Sequence, residues 1–442
     1  MENLEEKSVY QYFDELFHAK VVGDEEESLQ NYLMAFAKQN GLKFSIDQVS
    51  NVVIKDEGEE EKTTLLVRLD FCVRSPEKKW FDFNFWSGKL VRNGDFVLSN
   101  RAPLCAKSLG GVAIALHALK SCKKIQAVFI FKKVAGVYKI FEGKTFNSSK
   151  IIELTANEKE GVFLSSPTTF KCVAKCSNDK YFLTNSFELK TFKLTIYENE
   201  KSKNNLGLKL LVDLLSKIGD AKINSFYSGY VFNNEYKNEI TFTSFMPLLE
   251  LKRLVKFYYE QNKKFYPSLL LKCTRQINQT LVLSSNTIAN FVATFKQGII
   301  NLDDNQTVFS RLVDVNSNSG FVNFDLLSNN LKTLKTQFEN IKDNAKLSNI
   351  ECVCYDEISG FTNKDSTLLD EMNKANPSLH RDASEYELTS DIGEALKRSK
   401  KMNALILSFQ VENIGLPDEK LNFSSLVNTS FYVENYIKSL IK

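Results

Sequence analysis

Histidine is nearly missing from this chain: His18, His117 and His380 are all there is among 442 residues. A metal centre built on several neighbouring imidazoles is therefore disfavoured from the outset. Long apolar runs are missing too. No stretch approaches the roughly 18 residues that span a bilayer, and the best, IQAVFIF from Ile125 to Phe131, has the length of a strand. The first residues, MENLEEKSVYQYF, lack the basic and apolar regions of a signal peptide. Charge of one sign is not in excess either. Lys and Arg number 57 against 54 Asp and Glu, a formal charge of +3, with no block of like charge long enough to serve as a nucleic-acid tail. Only 18 glycines and seven prolines occur, and none of the glycines forms a phosphate-cradling loop. These absences give the expectation of a cytoplasmic protein that engages neither membrane nor nucleic acid.

What is present is ordinary for a folded protein: 43% hydrophobic and 25% charged residues. The length suffices for two packed units. Eight cysteines are scattered through apolar segments, and most read as reduced core thiols. The tightest groupings, Cys172 with Cys176 and Cys352 with Cys354, fall in strand-like runs with no histidine near enough in sequence to complete a zinc cluster.

Along the chain, apolar Leu29, Tyr32, Leu33, Phe36 and Ala37 recur at helical spacing before Gly41, so the first amphipathic helix is predicted over 25–38. Val49–Ile54 and Thr63–Val73 read as buried strands around the acidic turn 56–62. GGVAIALHAL (Gly110–Leu119) reads as a small-residue buried helix followed by the strand AVFIF. Alternating strands and helices give α/β patterning. The texture changes near residue 185 to a β-α-β-α series with helices over Asn204–Gly219, Leu248–Gln261 and Ser328–Lys342, ending in NIECVCYDEI. Near Gly360–Ser366 the first pattern resumes. One domain, 186–365, is thus predicted to be inserted into another formed by 1–185 and 366–442.

Several segments in this order resemble the aminoacyl-histidine dipeptidases, the cytosolic non-specific dipeptidase branch of the di-zinc exopeptidases. They are Tyr12–Lys55, TTLLVRLDFCV (Thr63–Val73), NGDFVLSNRAPLCAKSLGGVAIALHAL (Asn93–Leu119), VFIFKKVAGV (Val128–Val137), IIELTANEKEG (Ile151–Gly161), ISGFTNKDSTLL (Ile358–Leu369) and LPDEKLNF (Leu416–Phe423). The resemblance runs over nearly the whole chain. It implies a three-layer zinc-peptidase-like α/β domain with an inserted α+β, ferredoxin-like lid. In that family two zinc ions are held by histidines and carboxylates, and a glutamate acts as general base toward the metal-bound water.

At the positions where the resemblance places those groups, the residues differ. The family's His-Leu-Asp reads Arg68-Leu69-Asp70. The bridging aspartate falls on Lys107, the glutamate pair on Lys132 and Lys133, and the next ligand on Thr155. The late histidine falls at or near Gly415, before Pro417, Asp418 and Glu419, and a lid Gly-Gly-His-Ser run is replaced by IYENEKSK (Ile196–Lys203). Arg68, Lys107, Lys132 and Lys133 would converge on the former metal site. Two unit charges about 5 Å apart at an effective dielectric near 20 repel by roughly 3 kcal/mol. Such a cluster must be neutralised by carboxylates such as Asp70, Asp418 or Glu419, neutralised by a bound peptide carboxylate or phosphate, or relieved by lysines reaching solvent.

The expectation is a catalytically inactive dipeptidase-like protein without a metal cofactor. Its candidate ion-pair or anion cluster is Arg68, Asp70, Lys107, Lys132, Lys133 and Thr155, and its role is binding or structural. Its expected partners are a peptide or small anion, a second copy, or an active paralogue. The alternative is an active hydrolase with a remade, metal-independent site that uses Lys132 or Lys133 as base or nucleophile. His18 reads as a turn or solvent-facing residue, His117 as a helix-face residue, and His380 as a ligand only if the register shifts toward Thr389 or Ser390. Neither Ser108 nor Ser390 has a histidine and an acid beside it in sequence, so no triad is indicated.

Overall fold

Seven consecutive residues, Thr63–Leu69, are all buried, and so are all seven of Ile125–Phe131. A strand buried at every position is covered on both faces, the condition of a parallel sheet in an α/β unit. In this computed structural model, which describes residues 4–19, 25–47, 50–58, 63–69, 89–100, 104–131, 148–183, 188–199, 206–231, 235–264, 270–303, 306–384, 390–396, 402–414 and 419–441, those two strands run parallel. Thr63 lies beside Ile125 and Leu69 beside Phe131. Lys150–Asn157 joins the other edge of Thr63–Leu69, and Asn403–Glu412 follows it, both parallel. Short antiparallel strands flank this core: Val52–Lys55 and Lys43–Ile46 on one side, Lys420–Asn422, Phe96–Asn100 and Lys89–Asn93 on the other.

Side-chain alternation divides the sheet into two apolar faces. Leu65, Val67, Leu69, Ile152, Leu154 and Phe409 pack with the helices Leu4–Ala19, Ala106–Ser121 and Phe423–Ser439. Leu66, Val128, Ile130, Ile151 and Ile406 pack with Ile392 and Ala395 of the short helix Ile392–Leu396. The small-residue run in Ala106–Ser121 has a steric cause. A Cβ on Gly110 would stand 2.6 Å from the buried Phe409 ring, and one on Gly111 3.1 Å from Val67 and 3.2 Å from the Leu154 carbonyl. The helix sits on the sheet at a distance that only glycine permits.

The chain divides into two compact units, Met1–Pro167 with Ile358–Lys442, and Thr168–Glu357. In the second, Lys190–Asn199, Lys222–Val231, Glu235–Ser244 and Leu270–Arg275 alternate with the helices Leu206–Ser216 and Leu248–Lys263. From one side the strands lie in the order fourth, first, third, second, with every neighbouring pair antiparallel. That is the split βαβ arrangement of a ferredoxin-like fold. The sheet continues through Gln306–Asn316, Phe321–Ser328 and Thr168–Lys175 to the edge strand Glu351–Ile358. Its apolar side, with Phe192, Ile240, Phe242 and Phe324, is covered by helices including Leu331–Lys346. Asn330 caps that last helix, accepting from the Lys332 and Thr333 N–H groups at 3.0 and 3.2 Å.

Several details differ from the sequence reading. A helix at Leu4–Ala19 precedes Glu25–Gln39, so His18 lies in its last turn. Thr168–Lys175 pairs residue for residue with Phe321–Ser328, which moves the start of the second unit ahead of the expected residue 186 and its end to Glu357. The strand's only signal was its alternation, and its partner is about 150 residues away. Among the cysteines, Cys122, Cys172, Cys176, Cys273, Cys352 and Cys354 are free thiols, whereas Cys105 is disulfide-bonded. Among the described residues, no helix is long and apolar enough to cross a membrane.

Because the Phe409 ring is fully enclosed, Gly110→Ala should cost about 1–3 kcal/mol by overpacking. Urea unfolding would register this as a lower midpoint; an unchanged midpoint would contradict the close approach.

Candidate functional site

In open α/β sheets ligands bind beyond the carboxyl ends of the parallel strands. Arg68 is the penultimate residue of the central strand Thr63–Leu69, opposite Ile130, and only 9% exposed. By alternation it shares a face with Leu66, and on the adjacent strand Glu153 and Thr155 share the same face with Ile151. Thr155 is buried and pairs with Ser408 of the next strand. Arg68 and Thr155 are thus brought to one face of the sheet. Lys107 stands half-buried in the first turn of Ala106–Ser121, the helix packed on the opposite face. That helix begins at Cys105, whose φ of 54° is left-handed and uncommon outside glycine. The expectations for Asp70, Lys132 and Lys133, and for Gly415, Pro417 and Asp418, fall outside the described residues. Glu419 is described and buried, next to the strand Lys420–Asn422.

The partners of Arg68 come from residues that sequence reasoning did not single out. Its Nε lies 3.6 Å from Oδ2 of the buried Asp391, an ion pair at a separation longer than a hydrogen bond. Behind that pair, the Ser390 hydroxyl donates to Oε2 of Glu153. The Asp391 N–H donates to the same oxygen at 3.2 Å, and the Ile392 N–H donates to Ser390 Oγ at 3.1 Å. Ser390 is fully buried, and Glu153 and Asp391 nearly so. One guanidinium and two carboxylates are therefore gathered in a site with little access to water. Burial, followed by repulsion from Asp391, pushes the Glu153 carboxyl up to about 7, against the opposing pull of the Ser390 hydroxyl and Arg68.

The backbone turn that presents Ser390 and Asp391 is fixed by Gly393. A Cβ there would stand 2.0 Å from the Ser359 carbonyl oxygen and 2.7 Å from that of Gly360. The short helix consequently rests directly on the 359–360 backbone, and the Ser359 N–H donates to the Glu394 carboxylate at 3.2 Å. A second buried cation stands in the same unit. Arg381 donates to Thr429 Oγ1 at 3.1 Å, lies 3.6 Å from Glu160 and stacks on the Tyr432 ring with its guanidinium carbon 5.0 Å from the centroid. Burial lowers its affinity for its proton, and Glu160 opposes that.

The histidines lie elsewhere. His18 and His380 are exposed, beside Asp14 and Asp382. His117 is buried in its helix, with Nδ1 3.0 Å from Ser430 Oγ and 3.9 Å from Glu434. Both contacts fall on one ring nitrogen, so the three groups do not form the relay of a serine hydrolase. Among the described residues, no group of three or more His, Cys, Asp or Glu is placed to hold a metal ion.

No family model matches the chain, and no curated protein sequence does. Solved structures do. Aminoacylhistidine dipeptidase from Vibrio alginolyticus superposes with a TM-score of 0.65 at 14% identity, over 98% of this chain and 96% of that one. A tripeptidase from Staphylococcus aureus gives 0.55 at 14% identity, with 98% of each chain covered. An aminopeptidase from Bacillus cereus gives 0.55 at 12% identity, with 99% of each covered. The likeness is one of fold. It extends through both units, so the α/β unit and its ferredoxin-like insertion form an architecture shared with these peptidases.

The raised Glu153 carboxyl has a consequence for stability. Between its ordinary value of 4.5 and about 7, the folded chain keeps a proton that the unfolded chain has released. Across that window Glu153 makes the protein less stable as pH rises, with no further change above it. Glu153→Gln should remove this slope, gaining stability at pH 8 relative to pH 5 when both are compared with the parent chain. Chemical denaturation at the two pH values measures it, and parallel shifts of equal size would contradict the assignment.

Proposed function

We propose that this chain is a non-catalytic relative of the zinc dipeptidases, in which an internal ion-pair cluster stands where such an enzyme holds its metals. The observation that carries the reading is Arg68, a permanent cation at the end of the central strand, with Asp391 beside it and Glu153 behind.

Zinc does not fit this set. A Zn²⁺ needs anionic or neutral donors, and a guanidinium supplies only N–H donors. A dication about 5 Å from Arg68 would be repelled by roughly 7 kcal/mol at an effective dielectric near 20. The Asp391 carboxylate is engaged by Arg68, and the Glu153 oxygen that faces Asp391 accepts from Ser390 and a backbone N–H. Thr155, where the resemblance places a ligand carboxylate, offers a hydroxyl. No hydrolytic step through a metal-bound water is derived for such a site.

The role that remains is binding or structural. Arg68 has its counter-charges inside the protein, so it does not itself require an external anion. A peptide or small anion, a second copy of the chain, or an active paralogue are the partners this reading puts forward, and it places the protein in the cytoplasm.

Calorimetric titration with zinc, paired with a dipeptide-hydrolysis assay with and without chelator, tests the reading. The expected result is no saturable zinc binding and no chelator-sensitive cleavage. Stoichiometric zinc with hydrolysis that chelator abolishes would overturn it. Hydrolysis indifferent to chelator would also overturn it, in favour of a remade, metal-independent enzyme.

A further inference from the structure

The helix Leu248–Lys263 presents two kinds of surface. Leu251, Val255 and Tyr258 recur at helical spacing and are buried in the core of the second unit. The Tyr258 hydroxyl donates to Oδ2 of Asp213 on the helix Leu206–Ser216 at 2.7 Å, which fixes the rotation of one helix against the other. The opposite arc is therefore held outward, and it is not purely polar. Leu249 and Phe257 lie on it, each 62% exposed. Eight residues of helical rise set them about 12 Å apart along the axis.

Phe245, just ahead of the helix, is 55% exposed. Its backbone is pinned. The Phe245 N–H donates to Asp220 Oδ2 at 2.6 Å, the Ser244 hydroxyl donates to Oδ1 of the same carboxylate at 2.7 Å, and the Met246 N–H donates to Ser244 Oγ at 2.9 Å. An aromatic ring is thus held in water on a fixed turn, ahead of a helix that carries two more apolar side chains outward. None of the three belongs to the core.

Single exposed apolar residues are normal on any surface. What distinguishes this face is its charge. Lys252, Arg253, Lys256, Lys263 and Lys264 are all exposed there, against Glu250 and Glu260. At 3.6 residues per turn these cations fall within, or directly beside, the arc of Leu249 and Phe257. The formal charge of the whole chain, +3, equals the excess on this one face.

We propose that this face docks on an anionic lipid surface, with Phe245, Leu249 and Phe257 entering the headgroup region and the cations lying over lipid phosphates and carboxylates. The apolar side chains project from a convex helix, which a deformable surface can receive, whereas a rigid protein partner needs a matching groove. Four of the five cations are lysines, compact point charges suited to a diffuse anionic surface, and phosphate recognition at a defined site favours the bidentate arginine fork. Leu249 has no ring on which a nucleic-acid base could stack. Long lysine stems let the ammonium groups stay at phosphate level while the apolar side chains go deeper. Adsorption of this kind needs no spanning segment, so the lack of long apolar runs does not bear on it.

The test is co-sedimentation of the full chain with vesicles of phosphatidylcholine alone and of phosphatidylcholine and phosphatidylserine in equal parts. Binding to the anionic vesicles should exceed that to the neutral ones by about tenfold or more. It should be lost in about 1 M salt, where the screening length is about 3 Å. Leu249→Ser combined with Phe257→Ser should weaken anionic binding by about tenfold, and Arg253→Glu combined with Lys256→Glu should abolish it. All four side chains are exposed, so both variants should unfold in urea at the parent's midpoint, which separates lost docking from lost folding. Equal binding to the two kinds of vesicle, binding to neither, or variants that bind as the parent does would overturn the proposal. A concentration-dependent dimer in lipid-free solution that the Leu249→Ser, Phe257→Ser variant dissolves would also overturn it, assigning the face to a second copy.

Discussion

A guanidinium cannot shed its charge to escape burial, so a fold that encloses Arg68 must bring it an anion. That requirement couples distant parts of the first unit. Arg68 comes from the central strand, Glu153 from its parallel neighbour, and Asp391 from a turn more than 200 residues further along. The turn reaches the sheet because Gly393 lets its helix rest on the 359–360 backbone. Loss of one partner from a buried pair typically costs about 3–5 kcal/mol, because the other charge is left without compensation. Under the proposed reading, a monovalent side chain ties strand ends to the C-terminal segment where a peptidase would use divalent ions.

Much of the fold can be read from the sequence where burial leaves a simple pattern. Ile125–Phe131 and the middle of Thr63–Leu69 are predominantly apolar because both their faces are covered, and the paired glycines at 110 and 111 mark the close helix-to-sheet contact. The insertion is visible as a change to alternating strands. The strand Thr168–Lys175 escapes that reading, since its alternation suits either unit and only pairing with Phe321–Ser328 assigns it.

The site was legible in half. Arg68 and Thr155 draw attention through resemblance, but the groups that satisfy Arg68 do not. One clue was available: Glu153 interrupts an apolar strand, KIIELTAN, and an acid at a buried strand position needs a partner. Nothing in the sequence names Ser390 and Asp391 as that partner, because the contact joins segments far apart in the chain.

A TM-score of 0.65 at 14% identity is a likeness of fold. Such a likeness carries the architecture, and activity has to be argued from the site. The most direct measurement is anomalous diffraction at the zinc edge from crystals soaked in zinc. The account predicts no anomalous peak beside Arg68, Glu153 and Asp391, with the Arg68–Asp391 pair intact. A peak ligated by Glu153 and Asp391, with the Arg68 side chain swung away, would contradict it.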